Sequence, residues 1–410
     1  MRVAVILLTF LTTTLLLGRF GLADFVHALT FPGRVTGTVL LVVSFTTLVS
    51  AAAVLDHWVR HSFPHSGLVA LIGAFAALLT NAMLLVETVK DGESAAYPTL
   101  FGALTAGSAW AVFAVWRTSV TVPAPKRVAA AVIVSSVIAV ANFGYQNLYQ
   151  PYQRETRPLI TLSMGKAVLS KDHKAFAVPV DITIQNHGDV GFYVLGTEFH
   201  AMGERVPLSS RDRLRQQWRT DAEKWANADE VNPLSRREIH QPGELVEAQP
   251  WMPYGQWIES SDTFATQVVV QMPIDTPYDQ VAFYATASLA RKDRLVLQPP
   301  LQFLAYSWSG SKVPLWVKEQ QKKGLDSLIY RARVHENNAI DESTRDPRYV
   351  TVYWRFGTHG ASVATSIARQ GDEDHLPTQA EAREVVSRYG LADVITGPVE
   401  RTLWDIKSQR

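Results

Sequence analysis

Five stretches among the first 150 residues carry no charged side chain, and they constrain the fold of this chain more than any other feature. They cover residues 3–18, 36–55, 67–86, 99–116 and 128–143. A helix needs about 20 apolar residues to cross a hydrocarbon layer of about 30 Å, and a helix satisfies its own backbone groups where water is absent. The middle three stretches approach or reach that length, and neighbouring apolar or aromatic residues extend the other two. The sequence therefore predicts a helical membrane domain with five transmembrane helices.

The rest of the chain has the composition of a soluble protein. Residues 1–150 hold only eight of the 39 basic and five of the 38 acidic residues, so 31 and 33 belong to residues 151–410. A change of this size at one point in a chain indicates a membrane domain joined to globular domains. We divide the chain into a transmembrane domain at 1–150, a β-sandwich domain with a helical insertion at 151–312, and a small α+β C-terminal unit at 313–410.

Positive charges in the predicted loops favour a cytoplasmic N-terminus. The N-terminus and the loops at 56–65 and 117–127 hold five Lys or Arg residues, against three on the opposite side. Cytoplasmic loops are enriched in these residues. Five crossings then place residue 150 onward outside the cytoplasm, which predicts a multi-pass cell-membrane protein with an extracytoplasmic C-terminal domain.

The first apolar stretch has a second interpretation. Arg2, the 16 apolar residues that follow, and the small-residue sequence Gly21-Leu22-Ala23 also fit a cleavable signal peptide. Cleavage would leave the orientation of the later spans unchanged. Both alternatives therefore predict the same side for the C-terminal domain.

The membrane domain is interpreted as an anchor. Its three middle stretches contain no ionisable side chain, which an ion or proton pathway normally needs. Asn142 and scattered Ser and Thr are polar groups of the kind that join helices. Gly33 and Gly37 have the spacing of a helix-packing motif, but Pro32 beside them favours a turn.

Alternating side chains indicate a mainly-β, Ig-like sandwich after the membrane domain. Residues 174–186 have the period of two that is typical of a half-buried strand. The predicted inward face of that strand consists of Phe176, Val178, Val180, Ile182 and Ile184. Further strands are predicted at 191–199, 245–248, 264–272, 281–289 and 295–303. Several short strands separated by turn residues favour a sandwich, with Tyr278 as a candidate tyrosine-corner residue.

Helices are predicted inside and after the sandwich. An insertion at 209–226 has an apolar stripe, and residues 316–334 are compatible with a second helix. Thr378 and Glu381 form a capping-box pattern for a third helix that Gly390 would close. Strands at 349–356 and within 393–406 complete the appended α+β unit.

Ser362 is the weak catalytic candidate. The segment Gly360-Ala361-Ser362-Val363-Ala364 follows a predicted strand, as the G-x-S-x-G nucleophile elbow of α/β-hydrolases does. Its second glycine is replaced by Ala364, and few residues remain for an acid and a histidine. A glycine-permitted turn is the preferred interpretation.

The acidic segment at 372–375 is the weak metal candidate. Asp372, Asp374 and His375 offer oxygen and nitrogen ligands to a divalent cation, but they lack the spacing and terminal Glu of a calcium loop. A solvated acidic loop is the alternative.

Several classes of site are excluded by composition, and no cofactor is predicted. The chain has no cysteine, which excludes disulfides, zinc–thiolate sites and thiol nucleophiles. It contains neither G-x-x-x-x-G-K-[ST] nor G-x-G-x-x-G, the glycine-rich motifs that bind nucleotides. A balanced soluble part without a basic cluster gives no indication of nucleic-acid binding.

The overall plan resembles a group of multi-pass membrane proteins of actinobacteria that are themselves uncharacterised. The resemblance rests on Ala/Val-rich spans ahead of a cysteine-free sandwich and on the ending ITGPVERTLWDIKSQR. It implies an exported C-terminal domain and no particular activity.

These patterns together predict a membrane-anchored, extracytoplasmic binding or interaction protein of the cell envelope. Its expected partners are the lipid bilayer and an envelope protein or glycan, because a tethered sandwich presents a rigid surface. Two alternatives stay open. The first is an envelope hydrolase that uses Ser362 or the acidic segment at 372–375, and the second is a subunit of an oligomeric channel or transporter.

Overall fold

Four long helices form the beginning of the protein. The computed structural model describes residues 2–118, 156–205, 243–303, 326–357, 360–370 and 378–408, together with three single residues between them. The helices are α1 (Arg2–His27), α2 (Phe31–Leu55, followed by a π-helical turn over Asp56–Arg60), α3 (Ser66–Lys90) and α4 (Ala96–Trp116). Each is long and apolar enough to cross a membrane. The helical N-terminal region is thus confirmed, with four candidate spans, whereas the predicted fifth span at 128–143 and Asn142 lie outside the described residues.

Glycines set the distance between α1 and α2. A Cβ atom on Gly37 would lie 2.4 Å from the backbone nitrogen of Phe25 and 2.8 Å from the carbonyl oxygen of Gly21. Small residues allow helix backbones to approach this closely in a membrane. The turn predicted at Gly33 and Gly37 is wrong, because both lie inside α2. Pro32 does not prevent this, since proline is tolerated in the first turn of a helix.

The remaining described elements are mostly strands. In chain order they are β1 (Pro158–Met164), β2 (Val168–Leu169), β3 (Ala175–Asn186), β4 (Phe192–Glu204), β5 (Glu244–Gln249), β6 (Gln256–Ile258), β7 (Thr263–Pro273), β8 (Gln280–Arg291), β9 (Leu295–Phe303), β10 (Asp326–Glu336), α5 (Ala339–Thr344), β11 (Arg348–Gly357), β12 (Gly360–Arg369), α6 (Gln379–Tyr389), β13 (Ala392–Thr402) and α7 (Leu403–Ser408).

The strands form three sheets. In the first, β3 pairs with β7 on one edge and with β1 and β2, one after the other, on its other edge. The second has the order β13-β8-β4-β5, with β6 also paired to β4. All of these pairs are antiparallel. The third sheet has the order β12-β11-β10-β9 and lies in the chain between β8 and β13.

The first and second sheets enclose the main β core. The five residues predicted to face inward on the 174–186 strand are all buried, which confirms the alternation. Val180 and Ile182 of β3 belong to the same buried cluster as Phe199 of β4 and Phe283 of β8. Burial of large apolar side chains from two facing sheets is the arrangement of a β-sandwich.

The third sheet covers the other face of the second sheet. A Cβ atom on Gly196 of β4 would lie 2.5 Å from a methyl carbon of Val363 and 2.8 Å from one of Val352. β12 and β11 therefore rest directly on β4, which explains why β4 is buried on both of its faces.

One element differs from the sequence predictions. The helix predicted over 316–334 is wrong in its second half, because residues from Asp326 form β10. Its first half, apart from Lys322, lies outside the described residues. Tyr330, Ala332 and Val334 are buried at every second position there, so the period of two prevails over helix propensity. The capping box is confirmed, since Thr378 and Glu381 cap α6 and Gly390 closes it with a positive φ. The predicted helix at 209–226 lies outside the described residues.

The described residues form two compact units that do not follow chain order. One contains α1–α4 together with residues 292–298 and 333–349. The other contains the sandwich strands with residues 299–332 and the described residues from 350 onward. Residues 333–349, which carry α5, thus belong to the helical unit.

Candidate functional site

Ser362 lies inside a strand. It is the third residue of β12, and the chain continues as a strand to Arg369. A nucleophile elbow needs a sharp turn between a strand and a helix. The neighbours Ala361 and Val363 are buried against the second sheet, so Ser362 faces the opposite side by strand alternation. Ser362 is therefore not on a nucleophile elbow, and residues 358–359, where the predicted turn would lie, are outside the described residues.

Asp372 is exposed and pairs with its own strand end. One carboxylate oxygen lies 2.8 Å from the Nε atom of Arg369, and the Asp372 N–H donates to the Arg369 carbonyl. Asp374 and His375 lie outside the described residues. Within the described ranges, no three His, Asp or Glu side chains are arranged to hold a metal ion.

A buried polar cluster lies on the face of the second sheet that β12 covers. Its central members are Glu198 and His200 of β4, and the Glu198 side chain is 0% exposed. Nδ1 of His200 lies 3.0 Å from both carboxylate oxygens of Glu198. The ring of Tyr284 stacks on the ring of His200, with centroids 4.7 Å apart. Charged groups are almost never fully buried without such partners.

The cluster continues along β8 towards β12 and β13. The Ser288 hydroxyl donates to the Asp393 carboxylate at 2.6 Å and lies 2.8 Å from the Thr365 hydroxyl. Because Ser288 pairs with Gly196 of β4 while Tyr284 pairs with His200, the two ends of the cluster lie four residues apart along the sheet. Ser288 and His200 therefore do not form a nucleophile–base pair, and the cluster joins β4, β8, β12 and β13.

Burial controls protonation in this cluster. Removal from water raises the pKa of Glu198, although its hydrogen bond to His200 and the Coulombic attraction of that ring lower it in part. Burial also raises the pKa of Tyr284, and the negative charges of Glu204 and Glu400 raise it further. Glu198 therefore retains a proton to a higher pH than an exposed glutamate does.

The raised pKa of Glu198 predicts a specific pH dependence of stability. A raised pKa contributes stability that is fully present below the ordinary value of 4.5 and is lost as pH rises through the folded-state value. We expect the free energy of unfolding of the wild type, minus that of Glu198→Gln, to fall as the pH rises from 4.5 through the folded-state pKa of Glu198. Denaturant titrations of the full-length protein at a series of pH values, followed by tryptophan fluorescence, measure the difference. Glu384→Gln, on the exposed side of α6, should parallel the wild type throughout, and a parallel profile for Glu198→Gln would contradict the prediction.

No local sequence signal indicates that this cluster is buried. Glu198 and His200 alternate with Phe199 and Ala201 in β4, as they would in a strand with one face in water. Nothing local indicates that a third sheet, formed more than a hundred residues later, covers the polar face.

A second polar site joins α1 to α5. Asp24, buried near the C-terminal end of α1, accepts the N–H of Ala339 at 2.6 Å. Ala339 is the first residue of α5, whose N-terminal N–H groups have no partner within the helix. A carboxylate at that position also interacts favourably with the helix dipole.

Glu93, in the connection between α3 and α4, contacts the segment after α5. Its carboxylate accepts the N–H of Asp346 at 2.9 Å and a guanidinium hydrogen bond from Arg348. It also lies 3.6 Å from the guanidinium of Arg345, which pairs with Glu336 at 3.7 Å on its other side. The Glu93 N–H donates to the carbonyl of Thr344. We call the contacts of Asp24 and Glu93 with residues 336–348 the α5 junction.

Polar side chains inside the helices bond to neighbouring helices. Asn81 of α3, fully buried, donates to the hydroxyls of Thr13 at 3.1 Å and Ser108 at 3.2 Å. Thr14 and Thr47 lie 2.9 Å apart across the α1–α2 contact. Hydrogen bonds of this kind join helices in a membrane. The predicted role of Ser and Thr as contacts between helices agrees with these bonds, although the sequence analysis overlooked Asn81.

Comparisons with known proteins give no family for this chain. No family model matches it, and no curated protein matches it. Among solved structures, the Spo0M sporulation control protein of Bacillus subtilis aligns at 7% identity over 62% of this chain and 93% of its own, with a TM-score of 0.20. A Bordetella pertussis protein described as ApaA aligns at 10% identity over 34% of this chain and 82% of its own, with a TM-score of 0.19. Likenesses this weak support no inference about activity.

Proposed function

We propose that this chain is a membrane-anchored binding protein of the cell envelope. In this proposal five spans hold an Ig-like sandwich outside the cytoplasm, where it engages an envelope protein or glycan. The α5 junction is the observation that carries the proposal, because it relates the later part of the chain to one end of the helices.

The ends of the helices divide into two groups, one on each side of the bilayer in this proposal. Asp24 is near the end of α1, and Glu93 joins α3 to α4, so in an up-and-down bundle both lie on the side opposite the N-terminus. The chain leaves α4 on the same side of the bundle as the N-terminus. There the hydroxyl oxygen of Thr118 lies 2.9 Å from Nε2 of His57. Residues 336–348 contact Asp24 and Glu93, so in this proposal the chain crosses the bilayer an odd number of times in between.

One further crossing satisfies this requirement. The uncharged stretch at 128–143 is the only one after Thr118 with the composition of a span. With the N-terminus in the cytoplasm, as the loop charges favour, one more crossing takes the α5 junction and the residues joined directly to it outside. The contacts of Gly21 and Asp24 also favour an α1 that is retained rather than cleaved as a signal peptide.

The order of the strands supports an Ig-like sandwich. Ig-type sandwiches place strands A, B and E in one sheet and G, F, C and C′ in the other. The order β1-β3-β7 and β13-β8-β4-β5 corresponds to that pattern, with the third sheet inserted between the strands in positions F and G. The candidate corner Tyr278 departs from it, since its hydroxyl donates to the Glu244 carboxylate and not to a backbone carbonyl.

A binding role agrees with the chemistry of the described sites. Glu198 and His200 at the centre of the first cluster are buried. Asn81 and Thr14 bond to residues of neighbouring helices. Neither arrangement offers an open reaction centre. A rigid sandwich with free edges and loops on a membrane anchor favours recognition of a partner.

The absence of cysteine allows a direct test of sidedness. We expect a membrane-impermeant maleimide to label Lys171→Cys, in the exposed turn before β3, in intact cells. Arg60→Cys, at the end of the π-helical turn, should react only after permeabilisation, because it lies at the cytoplasmic end of α2. Labelling of both or neither in intact cells would contradict the odd number of crossings, and the reverse pattern would place the sandwich in the cytoplasm.

A further inference from the structure

β7 is an edge strand of unusual length. It pairs with β3 over eleven consecutive residues. Thr263 lies opposite Gln185 at one end of the ladder, and Pro273 lies opposite Ala175 at the other. In the described part of the chain no other strand pairs with it. Backbone groups of an antiparallel strand alternate between its two sides. About half of the N–H and C=O groups of β7 therefore point away from β3.

In its own sequence and in its ladder with β3, β7 lacks the features that normally prevent an edge strand from pairing with another chain. Natural edge strands are protected by charged side chains, inward-pointing charges, bulges or short length. β7 has the sequence TFATQVVVQMP, without a charged residue, and its only proline is the last residue. Its ladder with β3 has no register shift. An unprotected edge of this kind is suited to pairing with a further strand.

The outer face of β7 is complementary to itself. Thr263, Ala265, Gln267, Val269 and Gln271 are exposed at every second position. In an antiparallel pair of two β7 strands centred on Gln267, Thr263 would oppose Gln271 and Ala265 would oppose Val269. Gln267 would oppose its own copy. Every opposed pair is neutral, so no like charges oppose association.

We propose that β7 pairs with β7 of a second copy of this chain, joining the first sheets of two protomers into one continuous sheet. The pairing is isologous, with a two-fold axis at Gln267. The occupant is a second copy because the neutral, self-complementary face offers no charge pattern that would select a different partner. The inference holds whichever side of the bilayer carries the sandwich.

Confinement to a membrane favours this association. A single strand pair is a small contact compared with the about 1,200–2,000 Å² of a typical stable interface, so the affinity of free domains would be low. Tethering raises the effective concentration of two such surfaces without a new contact. We therefore expect a dimer whose population depends on the protein-to-lipid ratio.

The test uses energy transfer between full-length copies in lipid vesicles. Lys171→Cys supplies one labelling site for a donor or an acceptor in an otherwise cysteine-free chain. In the proposed register, Ala265→Lys together with Val269→Lys would place two pairs of lysines directly opposite each other. We expect the protein-to-lipid ratio for half-maximal transfer to rise about tenfold. The matched control is Leu159→Lys with Ser163→Lys, two exposed positions four residues apart on β1 of the same sheet, and it should leave transfer unchanged.

A charge-reversal pair separates loss of the interface from loss of the fold. Ala265→Glu with Val269→Glu should raise the protein-to-lipid ratio for half-maximal transfer by a similar factor between identical copies, whereas a mixture of the lysine and glutamate variants should restore it to the wild-type value or below. A wild type without ratio-dependent transfer would overturn the proposal. So would lysine variants that transfer normally, or a mixture that fails to recover.

Discussion

Glu93→Ala is expected to lower the free energy of unfolding of the helical unit by about 1–3 kcal/mol, because it removes the acceptor of a charged hydrogen bond and leaves the groups that it partnered without one. The side chain of Arg345 is only 6% exposed, and Glu93 is one of two carboxylates within reach of it. The same substitution removes the acceptor for Arg348 and for the Asp346 N–H. The α5 junction would then retain Asp24 as its main carboxylate contact.

Amide hydrogen exchange of the full-length protein in lipid nanodiscs measures this effect locally. We expect exchange in α5 and at Asp346 to accelerate strongly in Glu93→Ala and less in Glu93→Gln, whose amide oxygen can still accept hydrogen bonds. Lys90→Ala is the matched control, because Lys90 pairs with Asp91 while its side chain is 66% exposed. Exposed ion pairs contribute at most about 1 kcal/mol. A double-mutant cycle with Arg348→Ala isolates the Glu93–Arg348 coupling. Unchanged exchange in α5 would show that Glu93 does not hold the junction.

Local patterns allowed part of the fold to be predicted. The period of two in β3 and the capping box of α6 depend on neighbouring residues only, and both are confirmed. The same period is present in β10, where Tyr330, Ala332 and Val334 alternate with polar residues. This alternation does not by itself predict a strand, because the surrounding residues are also compatible with a helix. Conflicts of this kind arise where propensity and tertiary burial favour different structures.

Contacts between distant segments could not be predicted from one sequence. Asp24 and Ala339 are 315 residues apart in the chain, and an aspartate near the end of an apolar stretch has the usual appearance of a loop residue. Likewise, Glu198 and His200 have the spacing of an exposed strand face until a third sheet covers it. Both sites depend on where an inserted segment folds back, and no local pattern encodes that position.

Gly37→Ala is expected to destabilise the helices although alanine is the better helix former. Glycine in a helix interior costs about 0.5–1 kcal/mol relative to alanine, so the substitution alone should stabilise α2 by that amount. The added methyl group would lie 2.4 Å from a backbone nitrogen of α1, which no side-chain rotation can relieve. Overpacking of this kind typically costs about 1–3 kcal/mol. The clash should therefore outweigh the gain in helix propensity.

Gly102→Ala in α4 is the matched control, because its Cβ atom would meet only a methyl carbon of Leu85, at 3.9 Å. There the propensity term acts without a clash, so the thermal unfolding midpoint in detergent should rise slightly above that of the wild type. The midpoint of Gly37→Ala should fall below it. Opposite signs from the same chemical change in two apolar helices would show that contact between α1 and α2, and not helix propensity, requires glycine at position 37. A midpoint for Gly37→Ala equal to that of Gly102→Ala would mean that α1 and α2 do not approach each other this closely in the membrane.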